Sequence, residues 1–358
     1  MVEISKLGSK KFEGTKVTID WVKDVSESDN VNYKKRVIER ALIASRLGSS
    51  SAQCFLYNCY LSYNPFYVYH LETVPDSSGM TERENPWIEF WGLLEDLRTK
   101  IFSSYRAAEV VEDMMERFDS VEWNTVAKPV ILKKFLPGVS IELLNSVLRG
   151  TEWQVPVFSC QQSVPYGNGN VNSHLSGIKW LEPRVQGTRV IAVITNSAVV
   201  LHDNAGNVLT GYSNIENDIS LYKSMFSHES SFGSRFVIDG VIGSGNSKKT
   251  RLYYMFDILP LSDFINGFCE VEQIHRRKVI KTVYERQIRW AKTNLRALTG
   301  MQVDLNTAEG YDIMHRYAES MAENGIPSII VKGANDPYRA GKENAWISKS
   351  THIPDGLQ

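Results

Sequence analysis

The chain has 358 residues, of which 42% are hydrophobic and 23% are charged, a composition that excludes disordered and fibrous proteins. A chain of this length can form two ordinary domains, each with its own core. The formal net charge of −1 excludes a uniformly basic nucleic-acid-binding protein, so any surface that binds DNA must be a local patch.

Cysteine spacing and hydropathy exclude two further classes of protein. The four cysteines, Cys54, Cys59, Cys160 and Cys269, form no CxxC pair and have no histidine at zinc-like spacing. We therefore expect free thiols in a reducing compartment and no metal site. The segment Met1–Gly14 lacks the apolar core of a signal peptide, and no apolar run approaches the roughly 20 residues of a membrane span. We expect a cytoplasmic protein that does not associate with membranes.

The first half of the chain is predicted to be helical. Residues 1–31 form a polar N-terminal arm, in which the apolar alternation at 17–21 fits a short strand or an extended segment. Over residues 32–150 apolar side chains recur at helical spacing, and an aromatic stripe beginning at Trp87 follows an Asn85-Pro86 start signal. Burial preferences favour a core role for this stripe over base stacking.

The second half has the pattern of an α+β domain. Residues 151–175 are rich in Gln, Ser, Pro, Gly and Asn and are predicted to be a linker, after which residues 176–358 alternate short β-rich runs with turn signals. The predicted strands are Arg189–Ile194, Ala198–His202, Arg235–Ile242, Leu252–Ile258 and Ile329–Lys332. Two helices are predicted, a long one over about Glu270–Leu298 and another over Ala308–Glu323.

The segment Leu181–Arg189 reads Leu-Glu-Pro-Arg-Val-Gln-Gly-Thr-Arg. It resembles the Lys-x-Asp-Gly-x-Arg motif of ATP-dependent DNA ligases of the bacteriophage type, whose lysine amine takes AMP from ATP. Gly187 and Arg189 match that motif, whereas Arg184 replaces the lysine and Gln186 replaces the aspartate. Because a guanidinium stays protonated and has no lone pair to attack phosphorus, the exchange at position 184 removes the nucleophile.

Later segments resemble the further motifs of the same family: Leu201–Asn207, Val237–Ile242, Tyr254–Leu259, Pro327–Lys332 and Trp346–Lys349. Against those motifs, Asn204 stands in place of an arginine, Val241 and Pro327 in place of glutamates, and Ile347 in place of a lysine. Magnesium prefers carboxylate oxygens, which neither valine nor proline supplies. The resemblance implies a nucleotide pocket of which these residues remain: Gly187, Arg189, Phe256, whose ring would stack on adenine, Lys332 and Lys349.

The resemblance extends over about residues 32–350. The stretch Leu136–Asn145 is similar to a turn into a helix in the N-terminal DNA-binding domain of these ligases. The resemblance implies a multidomain α plus α+β fold: an all-helical, DNA-ligase-like DNA-binding domain followed by an adenylation, or nucleotidyltransferase, domain over 176–358. The last motif lies close to Gln358, so we expect no C-terminal oligonucleotide-binding-fold domain.

Clustered cations are the candidate DNA contacts. In the first half they are Lys34, Lys35, Arg36, Lys133 and Lys134. On the predicted long helix they are Arg276, Arg277, Lys281, Arg289, Lys292 and Arg296. The second group fits either a surface that tracks a phosphate backbone or a merely solvated helix face.

These patterns favour a catalytically degenerate, ligase-like protein that binds without catalysis. Its partner would be double-stranded or nicked DNA, or another protein of replication or of the virion. We expect it to act in the cytoplasm or in a virion. If a phage encodes it, the cytoplasm would be that of the infected bacterium. One alternative is an unusual ATP-dependent DNA ligase or nucleotidyltransferase in which another residue accepts AMP. Lys179 fits a solvated or linker lysine better than such a nucleophile, because five residues along a strand reverse the face.

A second alternative is a nucleotide-sensing interaction protein. Arg184 fits either a phosphate contact or a surface arginine at the end of a strand. No cofactor is expected for noncatalytic binding of DNA or protein. ATP and Mg²⁺ are expected if activity is retained.

Overall fold

A computed structural model of the chain describes residues 19–79, 86–166, 175–243 and 251–351. These residues belong to two compact units, one ending at Val157 and one beginning at Phe158. The described part of the first unit contains helices and no strand, whereas the second unit combines sheets with helices. None of the helices in the described ranges is long and apolar enough to cross a bilayer.

Short helices build the first unit. They are α1 (Ile19–Ser26), α2 (Val31–Arg46), α3 (Ser50–Tyr63), α4 (Trp87–Arg98), α5 (Ser104–Met115), α6 (Ser120–Glu122), α7 (Lys128–Ile131) and α8 (Ile141–Leu148). Polar side chains fix where several of them begin, because a side-chain oxygen accepts a hydrogen bond from a free backbone N–H of the first turn. Five helices start in this way, after Asn30, Ser49, Ser103, Asp119 and Ser140.

Aromatic side chains fill the core of the first unit. Trp87, Phe90 and Trp91 on α4 are each at most 2% exposed. The ring of Trp87 meets that of Phe118 edge to face, with centroids 4.9 Å apart. The aromatic stripe is therefore core, as predicted, and cannot stack on bases. The predicted start signal lies partly outside the described residues, at Asn85.

The predicted N-terminal arm is partly wrong. Its residues Ile19–Ser26 form the helix α1, not a strand or an extended segment, and residues 1–18 lie outside the described ranges. Val22 and Val25 of α1 are buried in the helical core, while Trp21 packs on Phe55 at 6.2 Å between ring centroids. Tertiary packing of these apolar residues stabilises a helix that is too short to be stable alone.

The strands of the second unit are β1 (Gln161–Pro165), β2 (Ile178–Pro183), β3 (Gly187–Ile194), β4 (Val199–His202), β5 (Phe236–Gly243), β6 (Tyr253–Pro260), β7 (Phe268–Cys269), β8 (Leu295–Ala297), β9 (Met301–Asp304), β10 (Ser328–Gly333), β11 (Tyr338–Arg339) and β12 (Gly341–Ser350). The helices are α9 (Ser213–Ser230), α10 (Leu261–Asn266), α11 (Gln273–Val283) and α12 (Ala308–Glu323).

Two five-stranded sheets organise this unit. One has the order β1-β12-β10-β2-β9, the other has the order β4-β3-β5-β6-β8, and β7 pairs with β11. The core beside the second sheet is formed by α9, α11 and apolar side chains of its strands, among them Phe236 and Ile238. The strands that carry the ligase-like motifs therefore lie in both sheets.

The five predicted strands are confirmed with small shifts at their ends, and α12 has the predicted bounds. The helix α9 was not predicted. The predicted linker is wrong at Gln161–Pro165, because these residues form β1, which pairs in parallel with β12. Its polar side chains gave no apolar signal, since an edge strand is held through its backbone hydrogen bonds. Residues 167–174 of the predicted linker lie outside the described ranges.

The predicted long helix is also wrong. The helix α11 ends at Val283, a π-helical turn follows over Tyr284–Ile288, and the chain then enters β8. The strand β8 pairs in parallel with β6, and Leu295 is completely buried. This pairing with a distant strand prevails over the local helical periodicity.

Candidate functional site

A cavity of about 330 Å³ is lined by strands of both five-stranded sheets. The sheet β1-β12-β10-β2-β9 contributes Glu182, Lys332 and Trp346, and the other sheet contributes Arg189 and Phe256. The ligase-like motifs, which are scattered along the sequence, therefore converge on one cavity.

An ion-pair cluster centred on Glu182 closes one wall. The Glu182 carboxylate lies 2.8 Å from the Nζ atom of Lys332 and also contacts the guanidinium of Arg277. Glu182 and Lys332 are 1% and 2% exposed. The Lys332 ammonium is close enough for an ion pair but is not oriented to donate a standard hydrogen bond to any described residue. A carboxylate shared between two cations keeps this wall of the cavity polar.

Burial sets the protonation tendencies in this cluster. Desolvation, followed by the charge of Arg277, lowers the pKa of Lys332 below its ordinary value. Desolvation also lowers the pKa of Arg277, but its guanidinium contacts Glu182 and remains protonated at any accessible pH. Lys332 is therefore the group of this cluster whose charge depends on pH.

An aromatic pair forms the apolar wall. The rings of Phe256 and Trp346 meet edge to face with centroids 5.6 Å apart. The Nζ atom of Lys332 lies 4.4 Å from the Phe256 centroid and 4.0 Å from that of Trp346, and the guanidinium of Arg189 lies within 5.7 Å of both. The quadrupoles of the two aromatic rings stabilise cations that lie close to them.

Arg189 is held in place by Asp239 of β5. Its Nε and Nη2 atoms donate to the two carboxylate oxygens at 3.0 and 2.5 Å, and Nη1 donates to the carbonyl oxygen of Gln161 at 2.7 Å. Burial opposes the charge of Arg189, but Asp239 raises its pKa above the ordinary value. Burial also raises the pKa of Asp239 against the effect of Arg189, and the bidentate geometry favours the ionised pair.

Gly187 allows the first ligase-like motif to approach the neighbouring strand. A Cβ atom at this position would lie 2.0 Å from the carbonyl oxygen of Ile242. The adjacent strands β3 and β5 pair at Gly187 and Gly243, so any other residue would push them apart. The glycine is needed for the close backbone contact beside the cavity.

The positions at which the sequence departs from the ligase motifs do not all face the cavity. Arg184, Asn204 and Val241 line it, whereas Gln186 and Pro327 are exposed and are not among its lining residues. The Nη1 atom of Arg184 donates to the hydroxyl oxygen of Ser348 at 3.1 Å.

Two assignments on β12 are corrected by the alternation of side chains along a strand. Ile347 is 3% exposed and packs in the core with Leu181 and Ile329, so it does not replace a phosphate-binding lysine in the cavity. Lys349 is not among the cavity-lining residues, and its Nζ atom lies 5.2 Å from the Tyr166 ring centroid. The residue of β12 whose side chain reaches Arg184 is Ser348, which the sequence comparison missed.

Lys179 also stays away from the cavity. It lies on β2 opposite Val303 and Gly333 and is three residues before Glu182, a spacing that reverses the face of a strand. Within the described residues, Lys332 is the lysine that lines the cavity.

A magnesium ion does not fit the described cavity. Glu182 is the carboxylate among the lining residues, and it is already paired with Lys332 and Arg277. Asp239, on the adjacent strand, is paired with Arg189. Magnesium is usually held by one or two free carboxylates, and neither of these two carboxylates is free.

Two of the candidate DNA contacts in the first unit have structural partners. Lys34 is 3% exposed, and its Nζ atom donates to the carbonyl oxygen of Pro137 at 3.1 Å. Lys133 is an exposed residue, but its Nζ atom donates to the carbonyl oxygens of Leu61 and Asn64 at 2.9 and 2.7 Å. Their assignment to DNA is therefore corrected, because these ammonium groups hold loops of the helical unit.

The other three candidates of the first unit remain open to solvent. Arg36 and Lys134 are exposed, and Lys35 is half-buried. Cations that stay in solvent are the ones that can meet a phosphate backbone.

Arg276 and Arg277 are also corrected. Arg276 is completely buried, with Nε and Nη2 donating to Asp257 at 2.8 and 3.1 Å. Arg277 contacts Glu182 and stacks on Trp180 at 4.7 Å. Both arginines fasten α11 to the sheets and are not available to DNA.

The remaining cations of this region do not lie on one helix. Lys281 belongs to α11, whereas Arg289 and Lys292 follow the π-helical turn, and all three are exposed. Arg296 lies on β8, where it is half-buried and its Nη1 atom donates to the carbonyl oxygens of Thr293 and Leu295. The predicted stripe of six cations is thereby reduced to three exposed ones.

The sequence did not single out Glu182 and Trp346, which line the cavity, or Ser348, whose hydroxyl oxygen accepts a hydrogen bond from Arg184. Glu182 lies two residues before Arg184 and both line the cavity, so alternation around Arg184 was the signal for it. Trp346 and Ser348 are likewise two residues apart. Nothing local predicts the contact of Glu182 with Arg277, because 95 residues separate them.

Comparison with known proteins gives the fold. No protein-family model and no curated protein matches the sequence. The solved structures named Pmar-Lig_PreS3 and Pmar-Lig_Pre are each 20% identical to this chain, with TM-scores of 0.52 and 0.51, and the match covers 92% of this chain and 77% of theirs. An ATP-dependent DNA ligase from bacteriophage T7 in complex with ATP is 14% identical over 54% of this chain and 68% of its own, with a TM-score of 0.43. The fold of this chain is ligase-like.

Proposed function

We propose that this chain is a noncatalytic, ligase-like protein whose cavity binds a nucleotide without forming a covalent adenylate. One observation carries the proposal. The position that resembles the ligase nucleophile is Arg184, while the lysine that lines the cavity, Lys332, is buried against Glu182.

The cavity is suited to a nucleotide in its size and chemistry. A volume of about 330 Å³ lies within the range of small-molecule sites. Arg184 supplies an exposed cation for phosphate oxygens. Arg189 and Lys332 add positive charge to the wall, although both are paired with carboxylates, and Phe256 supplies an aromatic surface for a base. The proposal takes up the nucleotide-sensing alternative suggested by the sequence.

Adenylyl transfer lacks its principal groups at this site. Attack on the α-phosphorus requires an amine with a free lone pair, which Arg184 does not have. Charge that develops on the phosphate would need a metal ion, and the carboxylate of the cavity is already paired with two cations. Binding is the function that the remaining groups can perform.

Two measurements on the purified chain test the proposal. Isothermal titration calorimetry should detect binding of ATP, and Val241→Trp, which fills the cavity, should abolish it. Leu221→Trp, at an exposed site on α9, is the matched control and should bind ATP as the wild type does. Intact mass spectrometry after incubation with ATP and Mg²⁺ or Mn²⁺ should show no added AMP. A covalent adenylate on any residue would overturn the noncatalytic role, and absent ATP binding would overturn the nucleotide role.

DNA binding is the second candidate function, and it takes up the partner favoured by the sequence. It is supported by the exposed cations Lys281, Arg289 and Lys292 in the second unit and by Arg36 and Lys134 in the first. Salt-titrated gel shifts with nicked, intact and single-stranded DNA test it. A steep salt dependence without preference for a nick would indicate contacts to the backbone alone, and no shift at low salt would exclude this function.

A further inference from the structure

A second, larger cavity of about 660 Å³ lies beside the first. Its walls come from α11, the π-helical turn after it, β8 and the turn before β9. Arg277 separates the two cavities, since it lines the second one while its guanidinium contacts Glu182 of the first. No ligase-like motif identified in the sequence accounts for this second cavity.

Most of the inner wall of the second cavity is apolar. Ile274 and Ile280 of α11, Ala297 of β8 and Leu298 face Tyr284 of the π-helical turn. The Trp180 Nε1 atom, also in the wall, is buried and has no hydrogen-bond acceptor in the described part of the chain. An apolar cavity with one hydrogen-bond donor that has no acceptor suits the ring system of a small molecule.

The rim of this cavity is cationic. Lys278, Lys281 and Arg289 line it, and Glu285 is the acidic residue among them, 3.9 Å from Lys281. Neither Lys278 nor Arg289 has a carboxylate within 4 Å among the described residues. Two cations therefore remain for an anionic group at the mouth of an apolar chamber.

We propose that this cavity is a second binding site, for a small aromatic molecule that carries a phosphate or a sulfonate. The ring enters between Ile280 and Leu298, and the anionic group meets Lys278 and Arg289. The proposal goes beyond the nucleotide role of the first cavity and does not depend on it. A large ring system and a compact anion are both needed, because the apolar wall and the cationic rim are separate parts of the site.

The test uses 1-naphthyl phosphate as the probe and neutral 1-naphthol as its uncharged counterpart. Fluorescence titration of the full chain should show that the phosphate binds at least about tenfold more tightly than the naphthol, as charge-assisted contacts imply. Lys278→Gln with Arg289→Gln should remove this advantage. The matched control, Lys100→Gln with Lys292→Gln, has the same change in charge at exposed sites outside the cavity and should retain it.

A second variant tests the chamber itself. Thr299→Trp places a large ring at an exposed position of the cavity wall and should abolish binding of both probes, with an unchanged unfolding midpoint. Inorganic phosphate should bind more weakly than the naphthyl ester by at least about tenfold, because it lacks the apolar part.

Three outcomes would overturn the proposal. The first is naphthyl phosphate binding that neither set of cavity variants weakens. The second is displacement of the probe by ATP together with loss of binding in Val241→Trp, which would place the probe in the first cavity. The third is displacement by a short DNA duplex with equal binding of inorganic phosphate, which would make the rim a contact for phosphate backbones. Failure of ATP to bind at all would refute the nucleotide role and leave this proposal standing.

Discussion

Glu182 on β2 lies 2.8 Å from Lys332 on β10 and also contacts Arg277 on α11. One buried carboxylate thus connects two adjacent strands and a helix through two cations. The same carboxylate is the acidic group among the described residues that line the cavity, and both cations already pair with it. The cluster therefore both joins the elements and limits the chemistry of the cavity.

Removing the shared carboxylate should destabilise the second unit. Glu182→Gln leaves Arg277 and Lys332 buried without an anion, so we expect a loss of about 3–5 kcal/mol in the free energy of unfolding. Urea unfolding followed by tryptophan fluorescence measures it. Glu109→Gln, which removes the exposed ion pair with Arg106, is the control and should have little effect. Equal stability of the two variants would contradict a central role for Glu182.

Binding of ATP should weaken as the pH rises. Because burial lowers the pKa of Lys332, its charge is complete below that lowered pKa and is lost as the pH rises through it, before an ordinary lysine titrates at about 10.4. We expect calorimetry at a lower and a higher pH, both below the ordinary lysine pKa, to show weaker affinity at the higher pH in the wild type. Lys332→Met should bind ATP about tenfold more weakly at the lower pH and give a flatter profile. Parallel profiles for the two proteins would exclude Lys332 as the titrating contact.

Restoring a lysine at position 184 should not restore adenylyl transfer. In Arg184→Lys the amine returns, but Val241 and Gln186 still supply no carboxylate for a metal ion. Intact mass spectrometry with ATP and Mg²⁺ should therefore show no added AMP. If Arg184→Lys alone became adenylylated, the nucleophile would be the only part that the site lacks.

Arg276 and Lys281 lie on the same helix and should respond in opposite ways to substitution. Arg276 is completely buried with Asp257, so Arg276→Met leaves an unpaired buried carboxylate and should cost about 3–5 kcal/mol of stability. Lys281→Met removes an exposed side chain and should leave the unfolding midpoint unchanged. Thermal unfolding distinguishes the two. A stable Arg276→Met protein with impaired DNA binding would restore the sequence-based assignment.

If the chain binds DNA, its exposed cations should determine the salt dependence. Replacing Lys281, Arg289 and Lys292 by glutamine should reduce the slope of log affinity against log salt by up to about 3, one for each phosphate contact. A triple glutamine variant at Arg235, Arg339 and Lys342, other exposed cations of this unit, serves as the control. Equal slopes in the two variants would show that the surface around Arg289 is not the DNA contact.

Local sequence patterns were sufficient to predict much of the secondary structure. The strands around Ile191, Ile238 and Ile258 follow from short apolar runs between turn signals, and α12 follows from its amphipathic spacing. The wrong predictions of secondary structure at α1 and β1 share one cause. The helix α1 is amphipathic but only eight residues long, and the edge strand β1 is polar, so both depend on packing or backbone pairing with distant residues.

Within the candidate site, the sequence identified positions but not always the direction of their side chains. Ile347 and Lys349 were assigned to the cavity by resemblance, whereas the strand register directs Trp346 to the cavity and Ser348 to Arg184. A register error of one residue transfers a side chain to the opposite face of the sheet. Resemblance over short motifs at low identity does not fix this register.

The sequence by itself determined that position 184 carries a guanidinium and that the carboxylates expected at 241 and 327 are missing, because these are properties of the residues themselves. Only the tertiary structure decided which cationic side chains are buried in ion pairs and which are exposed to solvent. Arg277 pairs with Glu182 across 95 residues and Arg276 pairs with Asp257 across 19, whereas Lys281 and Arg289 remain in solvent. The reason is physical: a charge is expensive to bury alone, so its role depends on a partner that folding brings from elsewhere in the chain.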